Sequence, residues 1–149
     1  MNINNEIKQK SFENEWQKAL INLHFTSHYF RDQLLSILKP HQINDQHYNI
    51  LRILNGRYPE AACPSDIKAV LLNKRGDLTR LLDKLHKLNY VERSTNPINR
   101  RMIDIKITSA GIKLLNQLNS SINTNEIIKN NLSQKEATQL SLLLDKMRQ

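Results

Sequence analysis

The stretch from Pro64 to Thr108 constrains the fold more tightly than any other part of the chain. Leu78, Leu81, Leu82, Leu85 and Leu88 recur at i, i+3, i+4, i+7 and i+10. That spacing predicts a helix over about Lys74 to Leu88 with one narrow inward stripe. At about 100° per residue the opposite side carries Gly76, Thr79, Arg80, Asp83 and Lys87. Two short strands should follow. Tyr90 to Arg93 is the first, and Met102 to Ile107 alternates Ile103, Ile105 and Ile107 with Asp104 and Lys106, a half-buried pattern. Between them Ser94 to Asn99 forms a polar, proline-containing tip that runs into Arg100 and Arg101.

A helix followed by a cationic hairpin is the layout of a winged helix-turn-helix, and the charge supports it. The chain has 149 residues, with 22 Lys and Arg against 14 Asp and Glu, a net +8. From Lys68 to Lys106 ten basic residues stand against four acidic ones, so six of the eight excess charges lie in this segment. A local excess of this kind favours a polyanionic partner, nucleic acid first. One cysteine, Cys63, excludes an internal disulfide framework. The polar start, Met1 to Glu6, has no signal-peptide core, and no apolar run approaches the ~20 residues of a membrane span. A cytoplasmic protein is expected, with no membrane partner. The three glycines form no phosphate-cradling loop, and no nucleophile–base pair or carboxylate pair is evident. The sequence therefore points away from an enzyme and calls for no cofactor.

The flanks read as helices. From about Phe12 to Leu38, Trp16, Leu20, Leu23, Phe30, Leu34 and Ile37 fall at helical spacing, and further apolar residues widen the stripe almost all round. A terminal helix of that kind needs cover from a partner subunit. Pro40 should stop it. A second helix, Asp45 to Gly56, is capped by Asn44 or Asp45 and closed by Gly56 and Pro59. Ala61 to Cys63 reads as a short edge strand. A third helix starts at Pro64, with Ile67, Val70 and Leu71 inward. Asn89 occupies the left-handed position after the fourth helix. Thr108 caps a fifth helix, interrupted near Asn123–Asn125. Ser133 and Glu136 open the last one, whose apolar side is Leu140, Leu143, Leu144 and Met147.

Four segments together resemble the MarR family of bacterial transcription regulators. They are Gly76-Asp77-Leu78-Thr79-Arg80-Leu81-Leu82-Asp83-Lys84-Leu85, Tyr90-Val91-Glu92-Arg93, Asn99-Arg100-Arg101 and Ile107-Thr108-Ser109-Ala110-Gly111. The resemblance covers nearly the whole chain. It implies a mainly α fold with a small β-hairpin: a winged helix-turn-helix lobe over residues 44–108 and dimerisation helices over 1–43 and 109–149. It further implies a homodimer that regulates transcription, with first and last helices interdigitating, and DNA affinity lost on binding a small aromatic molecule or on cysteine oxidation. The family's wing usually reads Asp-x-Arg, where this chain has Asn99, and its usual glycine after the recognition helix is Asn89.

The DNA-contacting set expected from these residues is Ser65, Lys74, Arg75, Gly76, Thr79, Arg80, Lys84, Asn99, Arg100 and Arg101. Arg75, Thr79 and Arg80 would face the major groove, where base edges are readable. Gly76 would let the backbone approach a phosphate, and Ser65 with the amides of its helix start would hold another. Arg100 or Arg101 would enter the minor groove. A two-fold dimer would then recognise a near-palindromic operator in double-stranded DNA. Trp16, His24, His28, Tyr29 and Tyr48 are candidates for an effector pocket, against the alternative that each is core or interface packing. Cys63, just before a helix start, is the candidate redox sensor. His24 and His28 at i and i+4 could share a metal, but they lack further ligands, and no metal site is expected. A winged-helix protein-interaction module without DNA binding is the remaining alternative.

Overall fold

The computed structural model describes residues 2–149, with Thr124 described by its backbone alone. It is mostly helical with one hairpin, the expected class. In chain order the elements are α1 (Ile3–Glu6), α2 (Glu15–Leu38), α3 (Asp45–Arg57), α4 (Pro64–Val70), α5 (Leu78–Lys87), β1 (Val91–Thr95), β2 (Ile103–Ile107), α6 (Ser109–Ser121), α7 (Thr124–Asn131) and α8 (Gln134–Lys146). The strands pair antiparallel from Val91 opposite Ile107 to Thr95 opposite Ile103. One core runs beneath them: Leu38 from α2, Ile50, Leu51 and Leu54 from α3, Ile67 from α4, Leu85 from α5, Val91 and Ile105 from the hairpin, and Leu115 and Leu118 from α6 are all fully buried. On α5, Leu82 and Leu85 enter this core while Leu78, Leu81 and Leu88 pack along its edge.

Local chemistry sets the element ends, and several differ from the sequence expectation. Asn14 accepts a hydrogen bond from the Gln17 amide at 2.8 Å, so α2 starts at Glu15 rather than Phe12. After Leu38 the chain makes one 3-10 turn, Lys39–His41, which tolerates Pro40 in its first turn. Gly56 lies inside α3, which runs one residue further, to Arg57. The edge strand expected at Ala61–Cys63 shrinks to a single bridge. Ala62 and Ile105 exchange two backbone hydrogen bonds of 2.9 Å, and Pro64, which has no N–H, then opens α4. Val70 points to solvent, 53 % exposed, because the chain leaves the helix at Leu71 with extended backbone and Leu71 takes the inward place. Ile103, at the tip end of the hairpin opposite Thr95, is 50 % exposed. The largest correction is at α5. Asp77 caps it by accepting from the Arg80 amide, so the helix begins at Leu78, and Lys74, Arg75 and Gly76 belong to the preceding turn.

The end of α5 behaves as the sequence predicts. Asn89 adopts φ 60°, the left-handed conformation that closes the helix. The Thr108 hydroxyl donates to the Asn89 carbonyl at 2.7 Å and accepts from the Gly111 amide at 3.1 Å. It thereby caps α6 and ties it to the end of α5. Gly111 is buried at this junction, and a Cβ there would run into the Tyr90 carbonyl oxygen and lie 2.7 Å from Ile107 Cγ1.

At the start of α3, Asn44 and His47 form a reciprocal cap. The Asn44 side chain accepts from the His47 amide, and His47 Nδ1 accepts from the Asn44 amide, each at 3.1 Å. Burial, with the Lys84 ammonium adding to it and Asp45 opposing, lowers the His47 pKa from 6.5 to about 4.

Two measurements test this account. Gly111→Ala should cost about 1–3 kcal/mol in urea denaturation despite alanine's better helix propensity, because backbone blocks the new methyl. Gly56→Ala, with open space around it, should instead stabilise by roughly 0.5–1 kcal/mol. Between pH 6.5 and 4 the unfolded chain binds a proton at His47 that the native state refuses. His47 therefore contributes its full stabilisation above pH 6.5 and loses it as pH falls through about 4. His47→Gln keeps an acceptor for the Asn44 amide, so it should flatten the stability–pH curve across that window; an unchanged curve would assign the slope to other groups.

Candidate nucleic-acid interface

Two exposed cationic features flank the core, one on α5 and one on the hairpin. Thr79 and Arg80 occupy the first turn of α5, and the Arg80 side chain is 88 % exposed. Asp77 holds Arg80 twice: its carboxylate accepts from the Arg80 amide at 3.3 Å and lies 3.4 Å from Arg80 Nε. An exposed ion pair of this kind contributes little to stability, roughly 0–1 kcal/mol, but it orients the guanidinium. Lys74 and Arg75 are exposed in the turn before the helix, where the Arg75 amide donates to Asn73 Oδ1 at 3.0 Å. Gly76 does not present open backbone. It is half-buried, and a Cβ there would meet the far end of the Gln46 side chain, a flexible group that could move aside. Lys84 is exposed on the side of α5 that reaches His47. Ser65 is exposed in the first turn of α4, with its hydroxyl 2.9 Å from Cys63 Sγ.

The hairpin tip is built around a residue that sequence reasoning passed over. Asn96 Oδ1 accepts from the amides of Ile98 at 2.9 Å and Asn99 at 2.8 Å. Its Nδ2 donates to both carboxylate oxygens of Asp104, each at 3.1 Å. The Asn96 amide N–H also donates to the Met102 carbonyl, at 3.0 Å, and the Met102 amide to the Asn99 carbonyl, at 2.8 Å. Asn99 Oδ1 accepts from the Arg101 backbone amide at 3.2 Å, and among the described residues no arginine guanidinium bonds to it. Arg100 and Arg101 are exposed and in no salt bridge among the described residues. Arg93, by contrast, is held by Asp83 at 2.7 Å, with its Nε buried and without a partner among the described residues. The signal for Asn96 was present in the sequence as an Asn-Pro pair, a turn marker, but the pairing with Asp104 needs the strand register.

The expected effector set is not brought together. Tyr48 alone of the five lines a cleft of about 620 Å³ between α2, α3, α6 and the turn after α4, walled by Phe30, Leu34, Arg52 and Leu71. Its hydroxyl donates to Asn119 Oδ1 at 3.2 Å, and the Arg52 guanidinium sits 5.8 Å from its ring centre. Asp45 also lines this cleft; one carboxylate oxygen pairs with Arg31 at 3.0 Å, and the other is buried and without a partner among the described residues. Tyr29 packs edge-on to Phe30 and faces a second cleft between α1, α2 and α7. His24 and His28 are exposed, and Trp16 is 84 % exposed. The reason is length. At about 1.5 Å per residue, Trp16 and Tyr29 stand roughly 20 Å apart along one helix. Cys63 is buried. Among the described residues no three His, Cys, Asp or Glu side chains converge as metal ligands, and no helix is long and apolar enough to cross a membrane.

Comparison with known proteins fits this geometry. No protein-family model matches the sequence. The multiple antibiotic resistance protein MarR of Escherichia coli K12 is 31 % identical over 122 residues, covering 78 % of this chain and 82 % of that protein. A crystal structure of a cysteine-to-serine mutant of E. coli MarR complexed with operator DNA superposes with a TM-score of 0.76 at 26 % identity, over 93 % of this chain and 99 % of that one. The Staphylococcus aureus MepR–DNA complex, at 21 % identity, has the same fold, with a TM-score of 0.77 over 92 % of this chain and 97 % of that one. These relatives are transcription regulators, a non-enzymatic class. The chain belongs to the MarR family of transcription regulators.

Proposed function

We propose that this chain acts in the cytoplasm as a homodimeric, sequence-specific regulator on double-stranded DNA. In this reading α5 enters the major groove and the wing arginines the adjacent minor groove. The observation that carries it is the pairing of Thr79 and Arg80, on a capped helix, with Arg100 and Arg101, on a hydrogen-bonded tip. Both groups are exposed and both are fixed to one core. Arg80 is suited to bidentate reading of guanine, and Thr79 to a thymine methyl or a phosphate. Lys74, Arg75, Lys84 and Ser65 would meet phosphates around that contact, and Asn99 would support the wing through the Arg101 amide.

The terminal helices support the dimer. α8 has no buried residue, and Leu140, Leu142, Leu143 and Met147 along it are all 47 % or more exposed. On α2, Trp16, Leu20 and Leu23 are exposed as well. An apolar surface of that extent on two helices calls for a partner, and a second copy supplies a matching one. Two-fold symmetry would set the recognition helices roughly 34–36 Å apart and the operator near-palindromic.

The larger cleft supports an effector. It touches α2, α3 and α6 on one side and the turn leading to α5 on the other, so a ligand there would bias the angle between the recognition helix and α2. Tyr48 and Arg52 favour an aromatic molecule with an anionic group.

DNA selected from a random pool should yield a two-fold-related site. On it, Arg101→Ala should weaken binding and lower the salt slope by about 2, one contact from each protomer of the dimer. Arg80→Ala should cost about 1–3 kcal/mol and relax preference at one position of each half-site. Selection that returns no preferred sequence would overturn the reading. In thermal-shift measurements, benzoate-type acids should raise the melting temperature of the wild type and leave Arg52→Ala unmoved; equal behaviour of the two proteins would remove this cleft as the effector site.

A further inference from the structure

The wing carries an apolar residue where a purely electrostatic finger would need none. Ile98 is 95 % exposed at the tip, next to exposed Pro97 and two residues before Arg100. A single exposed isoleucine is ordinary on a protein surface; its mounting here is not. The Ile98 and Asn99 amides both donate to Asn96 Oδ1, and Asn96 is itself pinned to Asp104 and to the Met102 carbonyl. The amides at and just after Ile98 are therefore both bound to Asn96, which fixes where the side chain leaves the tip. β-branching restricts its remaining freedom at χ1. Its orientation costs little entropy on binding.

Resting on the DNA-binding reading above, we infer that Ile98 is a wedge of the wing that enters the minor groove of duplex DNA and packs on sugar and base-step edges. The occupant follows from the neighbours. Arg100 and Arg101 bring the tip to a polyanion, and the minor groove is the DNA surface with concentrated negative potential. Once there, Ile98 is the side chain at the tip that gains from leaving water. Proline and isoleucine are residue types that unstack and kink duplex steps from that groove. The wing would then read deformability, favouring pyrimidine–purine steps beneath it, in addition to supplying charge.

The test is a gel-shift series on circularly permuted fragments of the selected operator, repeated across a salt range. Ile98→Ala should bind about five- to tenfold more weakly, a partial loss of isoleucine burial, and with a smaller bend, while its salt slope equals the wild type's. Ile98→Met should recover most of both. Equal affinity and equal bend for Ile98→Ala and wild type would overturn the wedge and leave the regulator reading standing. A reduced salt slope for Ile98→Ala would also overturn it, since the residue would then be acting through the arginines. Wild type that shows no operator preference in the same gels would sink the DNA-binding reading itself.

Discussion

The structure turns on the contact between the end of α5 and the start of α6. Within a few residues, Asn89 turns left-handed, Tyr90 leads into β1, the Thr108 hydroxyl bonds the Asn89 carbonyl, and Gly111 lets α6 lie against the Tyr90 carbonyl. The recognition helix, both legs of the hairpin and the long helix beneath them all pass through this point. Their relative angles are set by backbone hydrogen bonds and one missing methyl group rather than by side chains that could repack. A rigid junction of this kind makes the cationic helix and the cationic tip behave as one body.

The two cationic features are nonetheless held by different means. Arg80 is oriented by the acid that caps its own helix, through an exposed pair that leaves the side chain 88 % accessible. Arg100 and Arg101 have no such partner among the described residues; the backbone they stand on is fixed by Asn96. Arg93, the remaining arginine of the hairpin, is engaged by Asp83. Sequence charge alone counts these four side chains as equivalents. The fold divides them into one that is tethered and presented, two that are free, and one that is structural.

Much of this was legible beforehand because it is local. The leucine period of α5, the alternation of Ile105 and Ile107, the left-handed Asn89, and the caps at Asn44, Thr108 and Ser133 each follow from a few adjacent residues. What was not legible depends on distant partners. Asp77 as a cap moved Arg75 off the helix because capping competes with the periodicity that suggested Lys74 as its start. Gly76 is approached by the side-chain end of Gln46, which lies on another helix. Chemistry nominates the effector residues but not their positions: Trp16 and Tyr29 lie far apart along the 24-residue α2 and Tyr48 lies on α3, so the three occupy different places. The role of Asn96 does not show in its neighbours, because its partner, Asp104, is eight residues away across the hairpin.

That last pair has a consequence for how the protein meets changing ionic strength. An ion pair at the wing tip, of the Asp-x-Arg kind, would couple the shape of the tip to the surrounding salt and would withhold part of one arginine's charge. Here the tip is locked by a neutral amide donating to a carboxylate at 3.1 Å, a contact that holds no pair of opposite charges for salt to screen. Salt should then tune how strongly the wing is drawn to its target while leaving its form alone. Geometry and attraction become independent variables, the first written into Asn96 and Asp104 and the second into Arg100 and Arg101.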